Sequence, residues 1–415
     1  MEDEIFKFLL ILLIAPLVQL IMLRFTTAKR WSNHALVRNE LIVLCLFYQY
    51  TFGWKIWILP ILAEFFIEWA SLRGYIRFDN PSLDTDYIYS DFFESFTPDD
   101  ETIRYYTEGD YNGLIANTIN LDSTNINEVM RIGKEIRTKK RSIKEIDDIM
   151  NQTQIKKFEY ILNQLGVREN DKVLEVGFGK GDFLKFLRGK GINASGINVS
   201  IVQVDHMKSL GFDVHHVDIW DIPNYPELHG KFDAVVLNGC MEYFLKWSDS
   251  RDKYQKLFNI IKKLLNPKSS IKKVSITCIH TKRTIPEQPN FYNKWKQFFL
   301  STGNSCASTP FKEDGLTKYA LRENFQVISQ ENRVLDYYLY SNFIAALWEK
   351  KPFTIVWKLV KNAIPLLICY PHYLHTIYAY TGFWMFGAPW IWQFTQQKDG
   401  YIPTDHLWIE LQLKD

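Results

Sequence analysis

The chain has 415 residues, which exceeds one minimal domain and favours one large or two medium domains. A net charge of +2 produces no strong electrostatic field, so the composition argues against nucleic acid as a partner. The five cysteines are scattered and lack metal-ligand spacing, which indicates neither a disulfide framework nor a metal site and suits a reducing compartment.

An apolar segment near the N-terminus, residues 5–23, predicts a membrane anchor. A helix of this length spans about 28 Å, close to the hydrocarbon thickness of a bilayer. Acidic residues precede the segment and no small-residue cleavage site stands out, so we favour a retained transmembrane anchor over a cleaved signal peptide. The basic loop that follows is expected on the cytoplasmic side.

A second apolar and aromatic segment, residues 41–70, completes the predicted anchor region of residues 1–70. Charged residues and Pro60 interrupt it, and two interpretations remain open. A second span would carry the rest of the chain to the opposite side of the membrane. An interfacial or re-entrant hairpin, which we favour, would leave the catalytic part on the cytoplasmic face.

The remaining chain is interpreted as a linker with a helical extension (71–150) and a catalytic domain (151–415). A helical pattern runs from Asp147 to Leu165, and strands and helices then alternate. Alternating βα units predict an α/β fold with a mainly parallel, doubly wound, Rossmann-like sheet. The strands are expected near residues 172–176, 193–197, 213–217, 233–237 and 272–278.

The first of these strands begins the sequence KVLEVGFGKGDF, residues 172–183. This sequence predicts a buried strand, then a glycine turn and then the start of a helix. Glycine lets the backbone approach a ligand closely, and a helix N-terminus offers free N–H groups. A dinucleotide-binding turn would need an acidic residue at the end of the next strand. That strand ends in Asn198, Val199 and Ser200 instead.

The turn, with Glu175 before Gly177, Gly179 and Gly181, resembles motif I of the S-adenosylmethionine-dependent methyltransferases. The resemblance implies that the turn wraps the methionine part of S-adenosyl-L-methionine. It also implies a class I methyltransferase domain behind the transmembrane anchor.

Further segments resemble the cyclopropane fatty acid synthase family, which includes the mycolic acid cyclopropane synthases, over roughly residues 100–415. Gln154 and Lys157 fit its Q-x-x-K helix, and the segment from Asn198 to Gln203 fits its T-L-S-x-x-Q element. The resemblance implies that these latter residues contact the cofactor's ribose and methionine parts. The cofactor-binding residues it implies are Glu175, Gly177, Gly179, Gly181, Asn198, Val199, Ser200, Gln203, Asp218, Ile219 and Asn238.

Asp218 and Ile219 follow the third strand, where the family brackets the adenine ring. A carboxylate at this position accepts from the adenine amino group, and the isoleucine packs on the ring. A plain helix cap is the alternative explanation for Asp218, and both remain open.

Three positions match the catalytic group of the family: Glu242, His280 and Tyr340. In that family these residues hold a bicarbonate, which accepts the proton released after the methyl group reaches an alkene. Tyr243 stands where the family has a histidine after the glutamate, and no cysteine matches the family's Y-S-C element near Leu121. The use of bicarbonate, and cyclopropanation as the outcome, therefore stay open.

Residues 353–395 form an apolar insertion, either a helix pair completing the core or a trough for acyl chains resting on the bilayer. We therefore expect a membrane-bound methyltransferase with a membrane lipid as its substrate. It would methylate or cyclopropanate an unsaturated acyl chain. Two alternatives are an enzyme for a small polar acceptor and an inactive membrane scaffold with the same fold.

Overall fold

The computed structural model describes residues 107–111, 126–245, 250, 252–281, 315–350 and 404–414. The predicted anchor, the second apolar segment and the apolar insertion lie outside these ranges. Within them, the helices are all too short or too polar to cross a bilayer.

The described residues build one mixed sheet of seven strands, in the order β3-β2-β1-β4-β5-β7-β6. Strands β1 to β5 run parallel, and β7 runs antiparallel to both β5 and β6. The α/β, mainly parallel fold is thus confirmed, and the first five strands lie where the sequence predicts them. The strands are β1 Lys172–Val176, β2 Asn193–Asn198, β3 Asp213–His216, β4 Ala234–Asn238, β5 Lys273–Thr281, β6 Phe325–Asn332 and β7 Thr404–Leu413.

Helices connect these strands, and their ends follow local capping rules. Helix α2 begins after Ser142, which forms a capping box with Glu145, and ends at Gly166 in the left-handed conformation. The domain boundary expected at residue 150 falls within this helix. The α-helices are α1 Ile126–Thr138, α2 Ile143–Leu165, α3 Asp182–Gly189, α4 Ile201–Ser209, α5 Lys253–Leu264, α6 Leu316–Arg322 and α7 Val334–Trp348.

Hydrophobic side chains cover both faces of the sheet. On one face, Val173 and Val236 pack with Phe158 of α2 and Phe183 of α3. On the other face, the alternate strand residues pack against α5, α6 and β6, with Phe258 lying 5.9 Å from Phe325 between ring centroids. Burial of both faces explains why β4 is apolar at four consecutive positions rather than at alternate ones.

The strand order reverses between β1 and β4, which creates a switch point at the carboxyl edge of the sheet. In open α/β sheets, ligands bind at such a point. The beginning of β7 lies at the same edge, because Thr404 pairs with Thr281 at the end of β5. The loops after β1, β2, β4 and β5 therefore face one region.

We expect Leu257→Ala in α5 to destabilise the fold, because this side chain is fully buried in the core. Such truncations cost about 2–5 kcal/mol, or roughly 5–15 °C in melting temperature. Leu321→Ala in α6 is the matched control, because Leu321 is 54% exposed. Thermal denaturation of the purified chain measures both, and equal midpoints for the two variants would contradict this packing.

Candidate active site

The turn after β1 needs glycine for its backbone conformation. Gly177, Gly179 and Gly181 have φ angles of 70°, 54° and 75°, which L side chains rarely adopt. The Gly177 N–H donates to the Ile197 carbonyl of β2 over 2.8 Å, and the Gly181 N–H donates to the Phe178 carbonyl over 2.8 Å. The result is a tight loop that delivers the chain directly into α3 at the carboxyl edge.

Glu175 lies inside β1 and is buried just before this turn. Burial raises its pKa well above the ordinary value, with a further rise from Asp182 and an opposing effect of Lys157. Its Oε2 atom has no hydrogen-bond partner among the described residues. Because buried polar atoms are normally hydrogen-bonded, this carboxyl is suited to a polar ligand group at the turn.

Three predicted residues after β2 are brought together and bind one another. The Asn198 Nδ2 atom donates to Gln203 Oε1 over 2.7 Å, and the Ser200 N–H donates to Asn198 Oδ1 over 3.1 Å. Ser200 also caps α4 by accepting from the Gln203 N–H. The carbonyl of Val199 lies 2.8 Å from His216 Nε2. This network fixes the loop beside the glycine turn.

Asp218 and Ile219 begin a 3₁₀ helix, Ile219–Asn224, after β3. Asp218 accepts from the Trp220 N–H over 3.0 Å, which is the cap that the sequence left open as an alternative. Burial raises the pKa of its carboxyl. Ile219 is buried in the core cluster that includes Ile222. An additional role of either residue toward adenine stays a prediction.

Asn238 and Glu242 follow β4 on the other side of the switch point. Asn238 Oδ1 accepts from the Thr277 hydroxyl over 2.9 Å. Glu242 lies in the 3₁₀ helix Met241–Tyr243, and its Oε1 atom accepts from the Ile279 N–H over 2.6 Å. Burial raises the Glu242 pKa against these hydrogen bonds, and Oε2 has no partner among the described residues.

His280 and Tyr340, the other two predicted catalytic residues, are also buried near this edge. His280 follows Ile279 in β5, and its Nδ1 atom lies 3.2 Å from the Cys278 carbonyl. Tyr340 lies on α7 and packs edge-on against Tyr337, with ring centroids 5.6 Å apart. Glu242 is therefore adjacent to the strand that carries His280, while Tyr340 approaches from the helix after β6.

A buried carboxylate that the sequence analysis did not single out, Glu108, lies at the same edge. Its Oε1 atom is 2.8 Å from Lys157 Nζ, 2.8 Å from Trp408 Nε1 and 2.7 Å from His406 Nε2. Burial raises its pKa, but the interactions with His406 and Lys157 outweigh burial and lower the pKa to about 2. The one sequence signal was Lys157, a cation on the buried face of a helix, which requires an acidic partner.

The segment of residues 107–111 is fixed across the carboxyl edge by further polar contacts. Gln154 donates to the Thr107 carbonyl over 2.6 Å, so both residues of the Q-x-x-K pattern hold this segment. Its other end is held by the Tyr111 N–H, which donates to Asp336 Oδ1 over 2.7 Å. A side chain on Gly239 after β4 would overlap Thr107, so the segment lies directly against the switch point.

Part of the chain matches a known protein family. Residues 142–309 match the family model described as mycolic acid cyclopropane synthetase. No curated protein sequence matches the chain.

Two solved structures have a similar fold. The cyclopropane synthase MmaA2 from Mycobacterium tuberculosis has 16% identity and a TM-score of 0.54, with 80% of this chain and 98% of that chain covered. The mycolic acid cyclopropane synthase CmaA1, crystallised with SAH and CTAB, has 15% identity and a TM-score of 0.52, with the same coverage. At these identities the two structures establish the fold. Residues 142–309 therefore resemble the mycolic acid cyclopropane synthetase family, and the protein is an S-adenosylmethionine-dependent methyltransferase.

Proposed function

We propose that this methyltransferase acts on the acyl chain of a membrane lipid and methylates or cyclopropanates an unsaturated bond. The observation that carries the proposal is the pairing of the glycine turn with buried Glu242 across the switch point of the sheet. This arrangement puts a cofactor loop beside a carboxyl that is shielded from water. An alkene is a poor nucleophile, so its methylation requires orientation and exclusion of water.

The residues at the turn fit S-adenosyl-L-methionine. Three glycines with positive φ angles, at alternate positions of the turn, let the backbone approach a ligand, and Glu175 presents a buried oxygen without a partner among the described residues. The bound cofactor supplies an electrophilic methyl group on a sulfonium. The turn would hold its methionine part, the Asn198–Gln203 network its ribose, and Asp218 with Ile219 its adenine.

Glu242, His280 and Tyr340 form the proposed catalytic group. Glu242 has one oxygen fixed by the Ile279 N–H and the other free of partners among the described residues, which suits proton transfer. The buried aromatic rings of Tyr337 and Tyr340, which pack edge-on against each other, would help to exclude water from this group. Bicarbonate remains a candidate proton acceptor, and no step here depends on it.

The lipid substrate is supported by the apolar segments of the sequence. Residues 5–23 and 41–70 would bind the membrane, and the insertion at 353–395 would receive an acyl chain. The catalytic domain would lie on the cytoplasmic face, as the basic loop after the first segment suggests.

Transfer of labelled methyl groups tests the substrate class directly. Membranes containing the full chain are incubated with labelled S-adenosyl-L-methionine, and lipid and water-soluble fractions are separated. Label in the lipid acyl chains is expected. Label only in the soluble fraction would favour a polar acceptor, and no transfer despite cofactor binding would indicate an inactive scaffold.

We expect Gly179→Ala to weaken cofactor binding at least tenfold, because a Cβ would both strain the turn and obstruct the ligand. Gly211→Ala is the matched control, since Gly211 also has a positive φ, of 74°, but precedes β3 at the opposite edge of the sheet. Calorimetric titration of the detergent-solubilised chain with S-adenosylhomocysteine measures both. Equal affinities of the two variants would contradict the proposed position of the cofactor.

We expect Glu242→Gln to lower turnover about 10²-fold or more with little change in cofactor affinity, because the amide keeps the shape but cannot accept a proton. Glu159→Gln is the control, since Glu159 is half exposed and pairs only with Lys190 among the described residues. Labelled-methyl transfer gives the rates and calorimetry gives the affinities. Turnover by Glu242→Gln at the wild-type rate would refute its role.

A further inference from the structure

The Glu108 carboxylate and the His406 imidazole form a pair that the catalytic group described above does not use. Glu108 is fully buried and His406 is 1% exposed. Glu108 Oε1 lies 2.7 Å from His406 Nε2 of β7, while Trp408 of the same strand and Lys157 of α2 hold the same oxygen. Because these contacts fix the position of the carboxylate, the carboxylate can in turn orient the imidazole ring.

The ionised carboxylate determines which nitrogen of His406 carries the proton. Glu108 is an acceptor, because Lys157 Nζ lies 2.8 Å from its Oε1 atom and lowers the pKa of the carboxyl. Nε2 lies 2.7 Å from this carboxylate, where a lone pair would be repelled, so neutral His406 favours the tautomer with its hydrogen on Nε2 and a lone pair on Nδ1. Both ring nitrogens are buried, and neither meets hydrogen-bond geometry with a described residue. An oriented imidazole with a bare nitrogen is the arrangement of a general base.

His406 also lies where the reaction is proposed to occur. In the sheet it pairs with Ile279, whose N–H binds Glu242. Its ring packs edge-on against Tyr337, with centroids 5.0 Å apart, and Tyr337 in turn packs against Tyr340. His406 therefore lies between the strand that binds Glu242 and the helix that carries Tyr340.

We propose that His406 is a second proton-accepting residue of the methyl transfer and that Glu108 is its positioning residue. The inference rests on the proposed function. The π electrons of the substrate form the new bond to the methyl carbon, and the carbon–sulfur bond breaks with its electrons on sulfur. The resulting cation loses a proton to His406 Nδ1, and the electrons of that C–H bond close the ring or form a new double bond.

The pair replaces an external anion with groups of the chain itself. Glu108 already places a carboxylate beside His406 at this edge, so the chain itself supplies an anionic partner for the imidazole. This agrees with the absence of the family's upstream cysteine from the sequence. Methyl transfer is therefore expected to proceed at the same rate with and without added bicarbonate in carbonate-depleted buffer.

The experiment compares His406→Gln and Glu108→Gln with His229→Gln in the full chain. His229 is the matched control, because its ring also contacts a carbonyl, of Ile222, but it precedes β4 at the opposite edge. In His406→Gln and Glu108→Gln, kcat should fall about 10²-fold, while KM and S-adenosylhomocysteine affinity change less than threefold. His229→Gln should match the wild type in all three. Wild-type kcat in a folded His406→Gln variant, or bicarbonate-dependent turnover of the wild type, overturns the proposal.

A measurement on the wild type covers the case in which the variants do not fold. Nitrogen-15 NMR of histidine-labelled protein should contain a slowly exchanging Nε2–H resonance, because the Nε2 atom of His406 is buried and faces the Glu108 carboxylate. Its absence overturns the proposal. Failure of the proposed function and failure of this proposal give different results. A wild type that methylates no lipid rejects the proposed function, whereas equal rates in wild type and His406→Gln reject only the role of the Glu108–His406 pair.

Discussion

The buried ion pair between Glu108 and Lys157 is the interaction on which the arrangement of the active edge depends. Both side chains are fully buried, so removing either one would leave an uncompensated charge, at a cost of about 3–5 kcal/mol. A buried ion pair contributes little net stability, but it can favour one arrangement of the groups around it. It allows only one position of the segment at residues 107–111 against α2, and that position sets the segment across the ends of β4 and β7.

Three buried carboxyl groups at this edge are driven toward different protonation states by their surroundings. Burial dominates at Glu175 and Glu242, whose pKa values are raised, whereas the cations around Glu108 lower its pKa. A protonated carboxyl can donate, and an ionised one can only accept. Divergent pKa values in neighbouring groups are a feature of acid–base sites, because one site then holds donors and acceptors at the same pH.

The departures from the family pattern become consistent when they are taken together. The sequence lacks the upstream cysteine, and a tyrosine replaces the histidine after Glu242. The structure adds a buried carboxylate and an imidazole at the same edge, contributed by residues 107–111 and by β7. Such a site lacks residues that would bind an external anion, but it contains a carboxylate of its own. It can therefore keep the reaction class while using a different proton acceptor.

The sequence by itself determined the first five strands and the glycine turn, because these depend on local periodicity and on backbone conformations that only glycine adopts freely. It also identified Lys157 and Glu242 through their motifs. It did not determine the partners of these residues. Glu108 and Trp408 lie 300 residues apart, and only the antiparallel insertion of β7 beside β5 brings His406 and Trp408 to the carboxyl edge. The segment at residues 107–111 has no periodicity to mark it, so its position was decided by tertiary structure alone, through the requirement that a buried cation be neutralised.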